Sequence, residues 1–420
     1  MIPAMIILYE GLLYVALLAG LPFFLIAGIA RGKYLRNLRE RLGFYRGAAR
    51  PHDLWIHAVS VGEAMAARPV VETIERLRPG TSIVFTTTTI TGQAQAARLY
   101  PNATVTYFPL DFSAAVRRFL AHHQPRVFAT METEIWPNVT RLSKLAGLRL
   151  ILANGRISDR SFPRYRMFRS IVGPILRTYD AILAREEIDR ERFIAIGASG
   201  SSVETTGNVK FDYEPDTASL PVSDEIEALI ANRPVVVLGS TIEGEDELLI
   251  GSIAKLAAGH GLFFIVAPRK PERFDPVARL LASANLRVVR RSAIQEAVTA
   301  DVLLLDSLGE LSRTYRYATV AFIGGSLVPH GGHNPIEAAA AGVPVCFGPS
   351  MSNFREIASL FVEEGAAEQI HGATGFERFV SAMVKDPQER AAWGDRGRRA
   401  VFQNRGASGR TAQRIVELLP

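Results

Sequence analysis

The stretch VAFIGGSLVPHGGHNPIEAAAAGVPVCFGP, residues 320–349, decides the fold that we predict for this chain. It begins at residues 320–325 with an apolar run that stops at a glycine pair, which is typical of a short buried strand. A loop rich in glycine follows over residues 326–333, and Asn334 and Pro335 are residues expected at a helix start. Such a loop offers backbone N–H groups and a helix dipole to a phosphate, so the stretch predicts a nucleotide site.

The same order of strand, loop and helix repeats along the rest of the chain. Before a predicted linker the strand-like runs lie at residues 54–60, 82–89, 105–108, 126–131, 149–153 and 181–184. After the linker they lie at residues 235–239, 263–267, 286–289, 302–306, 320–325 and 343–347. Strands that alternate with helices predict parallel sheets covered by helices on both faces. We therefore expect an α/β protein with two doubly wound, Rossmann-like domains. A length of 420 residues also suggests two domains rather than one.

The chain divides, on this interpretation, into four segments. They are an anchor at residues 1–30, a first domain at residues 31–212, a linker at residues 213–223 and a second domain at residues 224–420. The linker is rich in Pro, Asp and Ser and has no hydrophobic period. The sequence leaves open whether the last helices cap the second sheet or cross back onto the first domain.

The predicted anchor rests on residues 11–30, which are apolar and uncharged over about the length that spans a bilayer. Basic residues follow from Arg31 to Arg41, so we expect an uncleaved anchor with the domains in the cytoplasm. Two alternatives stay open. One is a buried core helix, and the other is a helix along the membrane surface, which Pro22 in the middle of the run allows.

Composition and missing motifs narrow the function classes. The net charge of +6 comes without a basic block interleaved with aromatic residues outside the N-terminal region, so nucleic acid is the least supported partner. The single cysteine, Cys346, excludes an internal disulfide. His330 and His333 have no Cys or Asp beside them, so we expect no zinc site. No GxGxxG follows a strand and no GxxxxGK[ST] occurs, which removes the best evidence for an oxidoreductase or a P-loop hydrolase.

We expect the chemistry at the carboxyl ends of the strands, where open parallel sheets bind their ligands. In the first domain the residues past these ends are acidic or hydroxylic: Ser60, Glu63, Thr86 to Thr89, Glu132 and Glu134. In the second domain they are Ser240, Thr241, Arg269, residues 306–310 and the loop that runs to Glu337. This asymmetry predicts a hydroxyl acceptor activated on one side and a phosphorylated donor held on the other.

Three acids are candidates for this chemistry. Glu63 follows a glycine on a turn, where partial burial would raise its pKa and suit a general base. The alternative is an ordinary acid in the first helical turn, favoured by the helix dipole. Of Glu132 and Glu134, one would balance charge or hold a sugar hydroxyl, and the other would be structural.

Two cations and one further acid complete the candidates. Arg269 directly follows an apolar strand, so its guanidinium could bind phosphate oxygens, and Lys210 lies just before the linker. Solvation at the surface is the alternative for both. Glu337 stands three residues after Asn334, the spacing of a capping box, so it either closes its own helix or holds a ribose hydroxyl.

Seven motifs, in order along the chain, resemble the Kdo (3-deoxy-D-manno-octulosonic acid) transferases of lipid A assembly. They are GFYR (43–46), SVGE (60–63), METEIWPN (131–138), GNVKFD (207–212), APRKPERF (267–274), DSLGEL (306–311) and GGSLVPHGGHNPIEAA (324–339). The sequence departs from the family pattern at two positions that would contact the substrate. Ser307 stands where Thr is frequent, and Lys270 stands where His commonly follows the arginine.

The resemblance implies a GT-B fold whose two domains face each other across a cleft. It implies an inverting glycosyltransferase, without metal or cofactor, that moves Kdo from CMP-Kdo to the lipid A disaccharide precursor at the cytoplasmic face of the bacterial inner membrane. Glu63 would be the base that deprotonates the acceptor hydroxyl, and Glu132 and Lys210 would stabilise the transition state.

The resemblance also implies which residues contact the substrates. Those that would hold CMP are Pro268, Arg269, Leu308, Gly309, Glu310, Asn334, Pro335, Ile336 and Glu337. Additional candidate contacts are Ser60, Ser240, Gly324 and Gly325. Two other functions stay open: a membrane-associated GT-B enzyme that uses a UDP-sugar, and a nucleotide-binding module without catalysis.

Overall fold

A computed structural model describes the backbone of residues 3–31, 37–213, 220, 223–294 and 299–420, and their side chains except at 3–5 and 21–31. The chain forms two compact units. Unit 1 is Met1–Asp212 together with Arg405–Pro420, and unit 2 is Tyr213–Asn404. Most of the predicted linker, residues 213–223, lies outside the described residues.

Unit 1 is built on one parallel sheet. Its strands are β1 His52–His57, β2 Ile83–Thr87, β3 Thr104–Tyr107, β4 Pro125–Met131, β5 Arg149–Gly155, β6 Ala181–Ala184 and β7 Val203–Thr205. Its first helices are α1 Pro3–Arg31, α2 Leu38–Arg41, α3 Val61–Leu77, α4 Ile90–Leu99, α5 Ser113–His123, α6 Pro137–Leu145, α7 Phe162–Met167, α8 Arg169–Leu176 and α9 Glu187–Ala195. The seven strands lie in the order β3-β2-β1-β4-β5-β6-β7, and every pair is parallel.

Both faces of this sheet are buried. Because successive strand residues point to opposite faces, Leu54 and Ile56 join one core and Trp55 joins the other. The Trp55 ring packs against Phe119 and Phe128, with ring centroids 4.2 and 4.1 Å apart. Burial on both faces is the usual state of a parallel sheet, and it explains the continuous apolar run in β1.

Unit 2 repeats this architecture. Its strands are β8 Val235–Thr241, β9 Phe263–Pro268, β10 Val288–Arg290, β11 Val302–Leu304, β12 Val320–Ile323, β13 Val345–Phe347 and β14 Ala367–Gln369. Its helices are α10 Ser223–Ile230, α11 Glu245–His260, α12 Phe274–Ser283, α13 Leu311–Thr314, α14 Ile336–Ala340, α15 Arg355–Glu363, α16 Gly372–Lys385 and α17 Pro387–Gln403. The strand order is β10-β11-β9-β8-β12-β13-β14, again parallel throughout.

The last helix, α18 (Ala407–Leu418), belongs to unit 1. Its apolar face, with Ala412 and Ile415, lies in the same core as the buried face of α3. The Asp212 carboxylate accepts hydrogen bonds from the backbone N–H groups of Gly406, at 2.5 Å, and Ser408. The two places where the chain leaves and re-enters unit 1 are therefore held together by one side chain.

The predicted α/β class and the two parallel sheets are confirmed, with two local corrections. Helix α14 begins at Ile336 rather than at Pro335 and is only five residues long, so its dipole is smaller than a full helix would supply. From the sequence we also expect Pro69 to interrupt the helix that follows β1, but helix α3 continues through Pro69.

The predicted membrane-spanning anchor at residues 1–30 is not found. Among the residues that the structure describes, no helix is both long and apolar enough to cross a membrane. Side chains are described for only residues 11–20 of the predicted apolar run, which is about half of what a bilayer requires.

The described part of α1 is attached to the body of unit 1. The Tyr9 hydroxyl donates to Asp111, at 2.7 Å. The Glu10 carboxylate accepts from the backbone N–H and the hydroxyl of Ser113, at 3.0 and 2.8 Å. The Tyr14 ring lies against Phe112, with ring centroids 5.1 Å apart. Polar contacts thus fix one face of α1.

Candidate active site

The strand order of unit 1 places two acids at one point of the sheet. The chain runs outward from β1 in one direction through β2 and β3, and in the other direction from β4 to β7. Ligands of open parallel sheets bind outside the carboxyl ends of the strands at such a switch point. Glu63 follows β1 and Glu132 follows β4. Since β1 and β4 are neighbours, the sheet brings these two carboxylates together.

The Glu63 carboxylate lies at the start of α3. Its two oxygens accept hydrogen bonds from the Val59 backbone N–H at 2.7 Å and from the Ser60 hydroxyl at 3.2 Å. Ser60 is the N-cap of the helix and accepts from the Glu63 N–H at 3.4 Å. Glu63 is thus an acid in the first turn of its helix, as the alternative explanation expected, and it also binds the residues that begin this helix.

The same position changes the chemistry of Glu63. Burial, followed by the negative charge of Glu132, raises the pKa of Glu63 to about 7. A carboxyl group with a pKa near neutrality can take a proton from a hydroxyl group and release it again. Helix capping and base catalysis are compatible, because the capping contacts hold the side chain in place.

Glu132 has the opposite electrostatic environment. Its carboxylate Oε1 lies 2.5 Å from a guanidinium nitrogen of Arg185 and 3.1 Å from Nζ of Lys210. Burial alone would raise the pKa of Glu132, but Arg185 and then Lys210 lower it to about 2. Glu132 is thus ionised at neutral pH, and its charge helps to keep a proton on its neighbour Glu63.

The backbone of Glu132 is also unusual. Its φ of +57° lies in the left-handed region, which a residue with a side chain seldom adopts. Strained backbone of this kind is found preferentially at functional sites.

Glu134 is the more structural of the two acids in METEIWPN. Its carboxylate accepts a hydrogen bond from the indole N–H of Trp136 at 3.0 Å. Burial raises the pKa of Glu134, with a further increase from Glu132. The two acids that the sequence could not rank therefore differ in their partners, since Glu132 binds cations and Glu134 binds an indole.

In unit 2 the corresponding switch point lies between β8 and β12. Ser240, near the end of β8, has a φ of +58°, and Gly324 follows β12 directly. A Cβ atom on Gly324 would lie 2.5 Å from the Ser240 carbonyl oxygen, so only glycine fits there. The two segments are thus packed backbone against backbone.

A buried carboxylate that the sequence analysis missed holds the glycine-rich loop. Glu245 is fully buried and accepts hydrogen bonds from the backbone N–H groups of Gly325, Ser326 and Leu327, at 2.6, 2.8 and 2.8 Å. The last two of these N–H groups belong to the loop that we predicted to bind a phosphate, so that prediction is wrong for Ser326 and Leu327. A signal was present, because Glu245 opens α11 as the first of three consecutive acids just past β8.

Three of the predicted nucleotide contacts lie near one another. Arg269 follows β9, and its backbone N–H donates to the Thr241 carbonyl at 2.9 Å. Burial and then the charge of Arg269 lower the pKa of His333 to about 4, so His333 is neutral at neutral pH. Burial raises the pKa of Glu337, while Asn334 and Arg269 oppose this rise.

The predicted capping box at Asn334 is wrong in detail. The Asn334 side-chain oxygen accepts from the Ile336 N–H at 3.1 Å, and its amide nitrogen donates to the Glu337 carboxylate at 3.4 Å. A capping box would instead join Glu337 to the backbone N–H of the cap residue. The side chains of Asn334 and Glu337 therefore bind each other.

The remaining predicted CMP contacts have mixed environments. Leu308 is 62% exposed, and Gly309 adopts a φ of +85°. The Glu310 carboxylate is bound by Arg291, at 2.8 Å, and by the Ser307 hydroxyl. Four further candidate contacts are buried: Pro268, Gly325, Pro335 and Ile336. Within the described ranges, no group of three or more His, Cys, Asp or Glu residues is arranged to hold a metal ion.

Comparisons with known proteins identify the family. Residues 36–213 match the family described as 3-deoxy-D-manno-octulosonic-acid transferase (kdotransferase). The 3-deoxy-D-manno-octulosonic acid transferase of Haemophilus influenzae is 35% identical over 418 residues, covering 98% of this chain and 97% of that protein. The enzyme of the same name from Bordetella pertussis is 36% identical over 389 residues, covering 89% and 90%.

A solved structure shares the fold. The crystal structure of a glycosyltransferase from Rickettsia africae aligns with a TM-score of 0.58 at 11% identity, covering 88% of this chain and 99% of that one. At this identity the likeness concerns the fold alone. The relatives from Haemophilus and Bordetella show more, because they extend over nearly the whole sequence. The chain therefore belongs to the 3-deoxy-D-manno-octulosonic acid transferase family.

Proposed function

We propose that this chain transfers Kdo from CMP-Kdo to the lipid A disaccharide precursor. Kdo transfer in lipopolysaccharide core assembly is the activity of the family, and the chain is 35% identical to a Kdo transferase across 98% of its length. The observation that carries the chemistry is the pairing of Glu63, with its pKa near 7, and the ionised Glu132 at one switch point.

Glu63 is the general base of this reaction. The primary hydroxyl of the acceptor attacks the anomeric carbon of Kdo, the bond from that carbon to the CMP phosphate oxygen breaks, and the hydroxyl proton passes to Glu63. One displacement of this kind inverts the anomeric configuration. The raised pKa suits the step, because a base is most effective when its pKa is close to the working pH.

Lys210 stabilises the negative charge that develops during the transfer, and Glu132 supports both Lys210 and the base. Kdo carries a carboxylate, and its transfer leaves CMP with a further negative charge on the phosphate. The Lys210 ammonium, 3.1 Å from Glu132, is a fixed cation that can stabilise this developing charge. Glu132 holds Lys210 in place and, by its negative charge, raises the pKa of the base.

We assign the donor to unit 2 and the acceptor to unit 1. Support for the donor side comes from Arg269 beside Glu337 and His333, since a guanidinium binds phosphate oxygens and a carboxylate can accept from ribose hydroxyls. The Glu245 carboxylate already accepts from the N–H groups of Gly325 to Leu327. We therefore assign phosphate binding to Arg269 rather than to these N–H groups.

We place the enzyme at the cytoplasmic surface of the bacterial inner membrane. The described part of α1 exposes the apolar side chains of Ile7, Leu8, Leu12, Val15 and Leu18. A second exposed apolar group on α7 and α8 consists of Met167, Phe168 and Ile171, and it is interleaved with the exposed arginines Arg164, Arg166 and Arg169. Apolar side chains among cations suit a surface of anionic lipids.

One experiment tests the proposed reaction. The full chain is incubated with CMP-Kdo and the tetra-acylated disaccharide precursor, and the products are weighed by mass spectrometry. We expect mass increases of one Kdo unit or a small whole number of units, with release of CMP, in the presence and absence of EDTA. Transfer from a UDP-sugar but not from CMP-Kdo would overturn the donor assignment. CMP binding without any product would favour a nucleotide-binding module.

A further inference from the structure

Arg185, which the sequence analysis did not single out, is a buried cation beside the candidate site. It is the first residue after β6, and 4% of its surface is exposed. One guanidinium nitrogen lies 2.5 Å from Oε1 of Glu132, and Nε donates to the carbonyl oxygen of Asn154 at 3.2 Å. Its backbone N–H donates to the Gly155 carbonyl at 3.0 Å. The residue is thus fixed at its backbone and at both ends of its guanidinium.

This pair differs from the ion pairs at the surface of unit 1. Arg68 and Glu72 on α3 form a pair at 2.7 Å, but their side chains are 58% and 52% exposed, so water screens their attraction. The Arg185 side chain is only 2% exposed. A buried arginine is tolerated when it is paired, and removing either partner leaves the other charge uncompensated.

Asn154 connects this pair to Lys210. Its carbonyl oxygen accepts from Arg185, and its side-chain oxygen accepts from the Val209 N–H at 3.2 Å, one residue before Lys210. Asn154 itself has a φ of +56°. Arg185, Asn154, Glu132 and Lys210 therefore form one connected group, in which Arg185 contacts the acid and supports the residue that holds the lysine segment.

We propose that Arg185 is a positioning residue for Kdo transfer, which acts through Glu132 by holding that carboxylate charged and directed toward Lys210 and the base. The proposal rests on the role assigned to Glu132 under the proposed function. Arg185 contacts Glu132 from the side of β6, so its effect on the reaction is indirect. Loss of Arg185 should therefore impair turnover and leave donor binding intact.

A double-mutant cycle tests this dependence. Transfer rates are measured for the full-length Arg185→Met, Arg185→Lys and Glu132→Gln variants and for the double variant Glu132→Gln/Arg185→Met. We expect Arg185→Met to lower kcat about 100-fold, the size of effect that a misplaced group can have. The KM for CMP-Kdo should stay within about twofold, and Arg185→Lys should recover part of the rate. If Arg185 acts through Glu132, the double variant should be no slower than Glu132→Gln within about twofold.

A matched control is Arg68→Met, which makes the same substitution in the exposed pair and should leave kcat unchanged. Melting curves of all variants show whether they fold. If Arg185→Met is unfolded, the rate of Arg185→Lys is compared with that of the wild type instead. If neither variant folds at the assay temperature, Arg185 is needed for folding and the proposal is wrong.

The outcomes separate this inference from the assigned role of Glu132. Multiplicative rate losses in the double variant would show that Arg185 acts independently, and this would overturn the proposal. A wild-type rate for Arg185→Met alongside an inactive Glu132→Gln would overturn it while leaving the role of Glu132 intact. A wild-type rate for Glu132→Gln would overturn the role of Glu132 and, with it, this inference.

Discussion

Units 1 and 2 are both built on seven parallel strands, but the ends of those strands carry different kinds of groups. In unit 1 the switch point is occupied by ionisable side chains. The pKa of Glu63 is raised to about 7, and the pKa of Glu132 is lowered to about 2. In unit 2 it is occupied by closely packed backbone, and the Glu245 carboxylate is satisfied by N–H groups. One topology thus carries paired ionisable side chains in one unit and closely packed backbone in the other, because side chains and not the fold decide the chemistry.

The largest effect that would sharpen this comparison is expected in unit 1. Glu63→Gln removes the base, so kcat for Kdo transfer should fall about 1,000-fold, within the usual range for general base catalysis. CMP affinity, measured by calorimetry, should not change. Glu75→Gln, an exposed site on the same helix, is the control and should retain full activity. An unchanged transfer rate for Glu63→Gln would contradict the assignment of Glu63 as the base.

The next effect concerns stability in unit 2. Glu245→Gln replaces one acceptor oxygen by an NH₂ group that faces backbone N–H donors, so we expect a loss of about 2–3 kcal/mol in the free energy of unfolding. The measurement is chemical denaturation of the full chain, with CMP binding as a second readout. The neighbouring exposed Glu243→Gln should be neutral. Equal stability of both variants would mean that the loop does not depend on Glu245.

A smaller effect is expected for donor binding. Arg269→Ala should weaken CMP binding about 10- to 100-fold, the range expected for losing hydrogen bonds from a charged group. Calorimetry measures the affinity, and the exposed Arg279→Ala on α12 is the control. Should CMP bind equally well to both variants, phosphate recognition would have to be assigned elsewhere in unit 2.

The smallest effect is a shift in pH dependence. Glu63 must be ionised to act as a base, so kcat/KM should fall about tenfold per pH unit below about 7, the pKa of Glu63. The negative charge of Glu132 contributes to raising that pKa. In Glu132→Gln this contribution disappears, and the acid limb of the residual activity should move to lower pH. A pH–rate profile measures the shift, and an unmoved limb would show that the two carboxylates are not coupled.

Much of the fold and part of the site could be predicted from the sequence, because both follow from regular patterns. The rule that ligands bind past strand ends located Glu63 and Glu132. Strands β7 and β14 were missed because each has one buried residue followed by polar ones, whereas the equally short β11 and β13 are apolar and buried throughout. The start of α14 was misplaced because Asn334 bonds to the N–H two residues on, a contact that the spacing of residues does not reveal.

The supporting residues were not predictable in the same way. Arg185 is surrounded in sequence by residues typical of a surface helix start, and arginine is usually exposed, so only the three-dimensional structure shows that it is buried against Glu132. Glu245 stands at a helix start, where the helix dipole alone is enough to explain an acid. The three loop N–H groups that bind its carboxylate lie 80 or more positions away in the sequence, from Gly325 to Leu327.

The packing of α18 on α3 has a consequence for how the protein is made. The core that contains Ala64 and Ile74 of α3 also contains Ala412 and Ile415 of α18, which follow the whole of unit 2 in the sequence. A ribosome releases the chain from the N-terminus onward, so unit 2, a continuous segment from Tyr213 to Asn404, is fully synthesised before unit 1 can close. During that interval the exposed face of α3 is a natural binding site for a chaperone, and a nascent chain that stalls before Ala407 would keep it open.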